Sequence, residues 1–195
     1  MIYNNNEITA LTYSGYNIVR VYSCGDKLVF GEAPIIPKKY HLISTGGTEY
    51  SVDCCDYEGC NELTSHDVII AERTGMIQSI EVGECITIMG TNVFAGETGM
   101  TDVTLPSTIA YIRDVLLTGC TAMQTLTLLG ETPPTFHSTT HNISRCGLFD
   151  IEKDPEEPPE VIPTGFKIYV PSIAVNAYKT ATVWSRYANY IEAIP

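Results

Sequence analysis

Seven cysteines and four histidines are the residues of this 195-residue chain best suited to chemistry. Cys54, Cys55 and Cys60 cluster, with His66 just beyond them, while Cys24, Cys85, Cys120 and Cys146 are scattered. Cys54, Cys60 and His66 carry the thiolate and imidazole groups that zinc takes. No Cys-x-x-Cys pair sets them at a metal spacing. The cysteine count is odd, and the start Met-Ile-Tyr-Asn-Asn-Asn has neither the basic residues nor the apolar run of an export signal. Reduced thiols, no metal and no other cofactor are therefore the expectation.

The remaining chemistry-bearing residues read the same way. His66-Asp67 are neighbours in sequence, whereas a catalytic triad is assembled in space, so they read as surface residues. His137 and His141 are four apart, but the Ser-Thr-Thr between them favours a loop over a shared helical face. Glu156-Glu157 would need converging oxygens to hold calcium, which this stretch does not pre-arrange. There is no Gly-x-Ser-x-Gly, His-Glu-x-x-His, phosphate loop or Gly-x-Gly-x-x-Gly. No catalytic residue is expected, and the alternative of an enzyme with a novel site would place it near the 137–165 loop.

The elements that must position any site are set by Ser79 to Thr135, which repeats with a period of 23 residues. Ile80 and Val82 recur as Val103 and Leu105, then as Leu126 and Leu128. Ile86 and Met89 recur as Ile109 and Ile112, Val93-Phe94 as Leu116-Leu117, Gly96 as Gly119 and Met100 as Met123. A fixed period of this size marks a leucine-rich-repeat solenoid. One coil cannot bury its own apolar face, so neighbours must stack. The alternating pairs predict strands with two inward side chains each. Pro106 ends the middle strand, since proline cannot donate to a ladder. Gly96 and Gly119 suit tight turns at positive φ. Cys120, one residue on, is expected in the core as a small apolar side chain.

These motifs carry a resemblance. Val103-Thr-Leu-Pro-Ser-Thr-Ile109, Leu117-Thr-Gly-Cys-Thr121 and Thr125-Leu-Thr-Leu-Leu-Gly-Glu-Thr-Pro-Pro134 resemble the BspA-type leucine-rich repeat of bacterial surface proteins. Ile168-Tyr-Val-Pro171, Val175-x-x-Tyr178-Lys179 and Trp184-Ser-x-Tyr187 resemble the terminal cap of such arrays. The likeness spans about residues 76–136 and 166–195. The first repeat departs from it, with Glu97-Thr98 in place of a Cys-Thr pair and Cys85 in place of a turn residue.

The rest of the chain divides around the repeat. In residues 1–37, Ile8, Ile18 and Leu28 are ten apart, as are Leu11 and Val21, and Gly15 and Gly25. This predicts a three-stranded meander with glycine turns, the last at Gly25-Asp26, followed by a proline-bounded linker. Residues 38–70 predict a β-hairpin turning at Thr45-Gly-Gly-Thr48 and a further strand near Val68-Ile69-Ile70. Residues 71–195 form the repeat domain. Its 137–165 loop contains the acidic, proline-rich run 150–160, expected to be solvated. Its cap spans 171–195, with Ser172 as helix N-cap, Val175, Tyr178 and Ala181 on one face, and a second helix packing Trp184, Tyr187 and Ile191 inward. The expected fold class is mainly β with small α content: a short N-terminal meander and hairpin, then a leucine-rich-repeat solenoid closed by C-terminal helices.

Composition limits the partners. Acids outnumber bases 23 to 11, for a net charge of -12, which repels nucleic acid and anionic lipid. No run of 18 apolar residues offers a membrane span. A small meander cannot stand alone in water, so residues 1–32 are expected to anchor on another chain. The anchor residues are Tyr3, Ile8, Leu11, Tyr13, Tyr16, Ile18, Val21, Tyr22, Leu28 and Phe30. Tyrosine suits interfaces, although it also favours ordinary strands. The strand, Gly-Asp-Lys turn and final Val-Phe resemble short N-terminal segments of bacteriophage virion proteins. The resemblances together imply a virion structural protein in head, collar, tail or fibre. Its partners would be other virion proteins or copies of itself, and host surface polymer. The alternative is an adhesin or a protein- or glycan-binding module on the bacterial cell surface.

Overall fold

The computed structural model describes residues 38–54, 61–65, 67–68, 76–137, 146–149 and 161–195, with the backbone of five short strands between residues 7 and 30. The fold is mainly β, a solenoid of about five turns with a short C-terminal helix.

Strands β1 (Glu7–Ile8), β2 (Leu11–Tyr13), β3 (Tyr16–Ile18), β4 (Val21–Cys24) and β5 (Lys27–Phe30) form two small antiparallel sheets. One has the order β1-β4-β5 and the other is the pair β2-β3. Five strands thus replace the three expected. The registers pair Tyr13 with Tyr16 and Cys24 with Lys27. The β2-β3 pair falls between β1 and β4 in the chain, so β1 reaches past it to join β4 through Ile8 and Val21.

The solenoid begins with β6 (Lys38–Ser44) and β7 (Glu49–Asp53), the predicted hairpin. Gly47 turns it at φ 79°. Strand β6 also pairs antiparallel with β9 (Ile77–Val82). Hairpin and repeats therefore share one sheet. From β9 onward the ladder is parallel through β11 (Asp102–Leu105), β13 (Thr125–Leu128), β15 (Lys167–Val170) and β16 (Ile191–Ala193). The opposite wall is the parallel sheet β8 (Glu62–Leu63), β10 (Ile88–Met89), β12 (Tyr111–Arg113) and β14 (Thr135–His137).

Between the walls lies the core. Ile80, Val103, Leu126, Ile168 and Ile191 stack as one buried row, and Val82, Leu105, Leu128 and Val170 as the next. Leu63, Met89, Ile112 and Phe136 face them from the other sheet. Each coil repeats the same burial because its predecessor offers only an apolar surface to cover. Gly96 and Gly119 adopt φ 81° and 77°. A Cβ on Gly119 would come within 3.2 Å of the Gly96 Cα, so stacked glycines at this corner let successive coils approach. Cys120 is buried, as expected of its register.

The segment after β15 differs from its expected form. Pro171, not Ser172, occupies the N-cap of a 3-10 turn (Ser172–Ala174), and no side chain caps it. This turn leads into α1 (Val175–Thr180), and a second 3-10 turn covers Trp184–Tyr187. The expected second helix stops there, and Ile191 enters the sheet as β16. Its partner Ile168 lies 23 residues earlier, so the closing coil keeps the repeat period. Val68, expected in a further strand, lies in a turn, and Ile69 and Ile70 lie outside the described residues. The turn's amide-to-carbonyl bond runs from Asp67 to Thr64 at 3.1 Å. The Asp67 carboxylate also accepts the Thr64 N–H and O–H, at 2.8 and 2.7 Å. Such local side-chain bonds compete with a strand ladder. The 150–160 run lies outside the described residues.

Candidate binding surfaces

The two sheets present different outer faces, because strand alternation sends every second side chain outward. On the larger sheet one outward row runs His41, Glu81, Thr104, Thr127, Tyr169, Glu192, and a second runs Ser79, Asp102, Thr125, Lys167. Several of their polar groups are paired with neighbours. Asp102 accepts from the hydroxyls of Thr101, at 2.6 Å, and of Thr125. Lys167 pairs with Glu192, and His41 lies 3.5 Å from Glu49.

The smaller sheet is not flat outside. Glu62, Ile88, Tyr111 and Thr135 form one outward row. The next strand positions continue with Gly90 in β10's line, Arg113 and His137. Gly90 contributes no side chain, and the row is interrupted above it. A depression of about 460 Å³ is lined by Ile88, Tyr111, Arg113 and His137 among the described residues. Arg113 reaches across β10 to Glu62 at 3.4 Å. A Cβ on Gly90 would meet the Glu62 carboxylate at 3.2 Å and the Leu63 carbonyl at 3.0 Å. The bare glycine is thus what lets the Glu62 carboxylate lie where Arg113 can reach it. Tyr111 is 48% exposed. Periodicity could not announce this hollow, since its lining comes from side chains of three successive coils brought side by side.

At the hairpin end, Cys54 and Cys85 form a disulfide with Cα atoms 6.5 Å apart. This corrects the expectation of reduced thiols for that pair. Because β6 lies between β7 and β9, the ends of both outer strands flank Lys38, and the two cysteines that follow those strands meet. Cys54 is therefore not a thiolate for zinc. Cys55, Cys60 and His66 lie outside the described residues, as does His141. Among the described residues no three His, Cys, Asp or Glu side chains are grouped to hold a metal ion. No helix among them is long and apolar enough to cross a membrane.

Asp67 is structural rather than a free surface acid. Lys39, whose side chain is 8% exposed, donates to it at 2.7 Å, and the Tyr40 hydroxyl donates to its carbonyl at 2.6 Å. Burial pushes the Asp67 carboxyl up, but hydrogen bonds from Lys39 and Thr64 outweigh it and hold the pKa below the ordinary carboxylate value. Glu97 occupies the register of Cys120 one coil earlier. It is buried, and its carboxylate accepts the Ile77 N–H at 3.2 Å. Its departure from the repeat places an acceptor where the first coil needs one.

Of the predicted anchor residues, Ile8, Leu11, Tyr13, Tyr16, Ile18, Val21, Tyr22, Leu28 and Phe30 lie in the five N-terminal strands. The structure describes their backbone pairing only, and Tyr3 lies outside the described residues. No protein-family model and no curated protein matches the chain.

Proposed function

We propose that this chain is a non-catalytic structural protein of a bacteriophage particle. Residues 1–32 attach it, and the leucine-rich-repeat domain is displayed as a binding surface. The observation that carries this reading is the size of the N-terminal sheets. Among the described residues neither exceeds three strands, and their longest strands, β4 and β5, have four residues each. Sheets this small are marginal alone in water, and their edges are templates for pairing with another chain. The solenoid has its own continuous core. The likeness of the repeat to BspA-type surface proteins supports a binding role for the displayed domain.

The test is a truncated chain starting at Ala33, which keeps all of β6. It should fold with an unchanged melting temperature and fail to join particles or oligomers, whereas the full chain joins. Continued assembly without residues 1–32 would overturn the anchor. A second reading, a cell-surface adhesin, is favoured by the Cys54–Cys85 disulfide, since such bonds persist in oxidising surroundings. Recovery of the protein from cell envelopes, rather than from purified particles, would select it.

A further inference from the structure

We propose that the hollow on the smaller sheet is a carbohydrate site that takes one pyranose ring of a surface glycan. The proposal deepens the reading of the solenoid as a displayed binding domain and names the ligand class of one face. A sugar ring has apolar C–H faces and an edge of hydroxyls that both donate and accept. Its site needs an exposed aromatic or aliphatic platform bordered by donors and acceptors together. The hollow supplies that combination. Tyr111 and Ile88 are neighbours in one outward row, with register Ile88 to Tyr111, and provide the platform. Arg113 and His137 are register partners one position along and border it with N–H donors. Glu62, held at 3.4 Å by Arg113, adds a carboxylate acceptor.

Two features separate this hollow from a bare sheet face. Its volume of about 460 Å³ falls within the range of small-ligand pockets. Its charges also compensate locally. The Arg113–Glu62 pair offers a donor and an acceptor side by side without a strong net charge, which suits a polyhydroxyl ligand better than phosphate. The hollow on the larger sheet, about 300 Å³ beside His41, Glu81 and Leu129, has no Tyr, Phe or Trp platform among its described lining residues.

Saturation-transfer NMR on the full chain tests the site, with glucose, N-acetylglucosamine and galacturonic acid as separate probes. Transfer to the ring C–H protons of at least one probe is expected. Tyr111→Ala should weaken it about tenfold or more, the loss typical of an aromatic anchor. Tyr111→Phe should retain it, because the platform remains. Arg113→Gln should weaken it without lowering the melting temperature, because the side chain is at the surface. No transfer from any of the three sugars, or transfer that Tyr111→Ala leaves intact, would overturn the proposal. The measurement needs no particle. A negative result removes the sugar site alone, and a chain that binds sugar but never joins particles removes the anchor alone.

Discussion

The two ends of the solenoid are closed by different physics. At the hairpin end the closure is an extra antiparallel strand pair held by polar and covalent links. These are the Cys54–Cys85 disulfide, the Lys38–Asp53 pair at 2.6 Å and the Lys39–Asp67 pair at 2.7 Å. Every residue of β7 is exposed, so its hold on the body comes from the ladder and these links. At the other end the closure is aromatic. Trp184, Tyr178 and Tyr187 are fully buried. Trp184 packs against Phe136 and Tyr178 with ring centroids 5.2 and 5.3 Å away.

Each polar tip in that aromatic cluster finds a partner. The Trp184 indole N–H donates to the Pro134 carbonyl at 2.7 Å, and the Tyr178 hydroxyl to the Gly130 carbonyl at 3.0 Å. The Tyr187 hydroxyl accepts the Leu148 N–H at 2.9 Å. Burial raises the Tyr178 pKa above its ordinary value, so the phenol stays neutral and remains a donor. A large aromatic body covers the exposed coil, and its one polar atom satisfies a backbone group that no further coil is there to satisfy. The hairpin end instead continues the ladder itself. The contrast is between closure by packing, which resists reductant and acid, and closure by links that chemistry can cut.

The largest expected effect is at the aromatic end. Trp184→Ala should destabilise the chain by about 3–5 kcal/mol, the cost of emptying a large buried site, measured by urea unfolding. A loss below about 1 kcal/mol would mean that the cap is not part of the cooperative core. Reduction of Cys54–Cys85 comes next. The bridge closes a sequence separation of 31, for which chain entropy gives about 3–4 kcal/mol. Hydrogen exchange should then rise in β6 and β7 while β13 and β15 stay protected. Uniform loss of protection would show that the two ends are not independent.

The smallest effect is acid sensitivity at the hairpin end. The pKa of Asp67 is lowered in the folded chain, so its stabilising contribution is complete above the unfolded value of about 3.9. It is lost as pH falls through the lower folded value, because the unfolded state binds the proton first. Protonation also leaves the buried Lys39 ammonium without its anion. Acid unfolding should begin in β6 and spare the aromatic cap. Asp67→Asn should be less stable at neutral pH and should flatten that acid dependence. Equal acid sensitivity in the variant would assign the effect to another group.

Much of this was legible from residue type and spacing. The 23-residue period placed β9, β11 and β13, their inward pairs, the glycine corner and the buried Cys120, because each coil must cover the same apolar face of its neighbour. It also runs from Ile168 to Ile191, where helix-like spacing around Trp184 and Tyr187 drew the last strand into a helix. The hairpin turn followed from Gly46-Gly47, since few other residues accept Gly47's φ. Three features were decided only in three dimensions. Cys54 meets Cys85 because β6 inserts between the strands that precede them. Asp67 became part of a buried link because Lys39, from a distant strand, lies over its turn. The hollow at Tyr111 needed Ile88, Arg113 and His137 from successive coils to lie side by side. Periodicity reports which residues face inward, because burial repeats in every coil. What gathers on the outside depends on which strands lie side by side, and that is set by stacking rather than by any one coil's sequence.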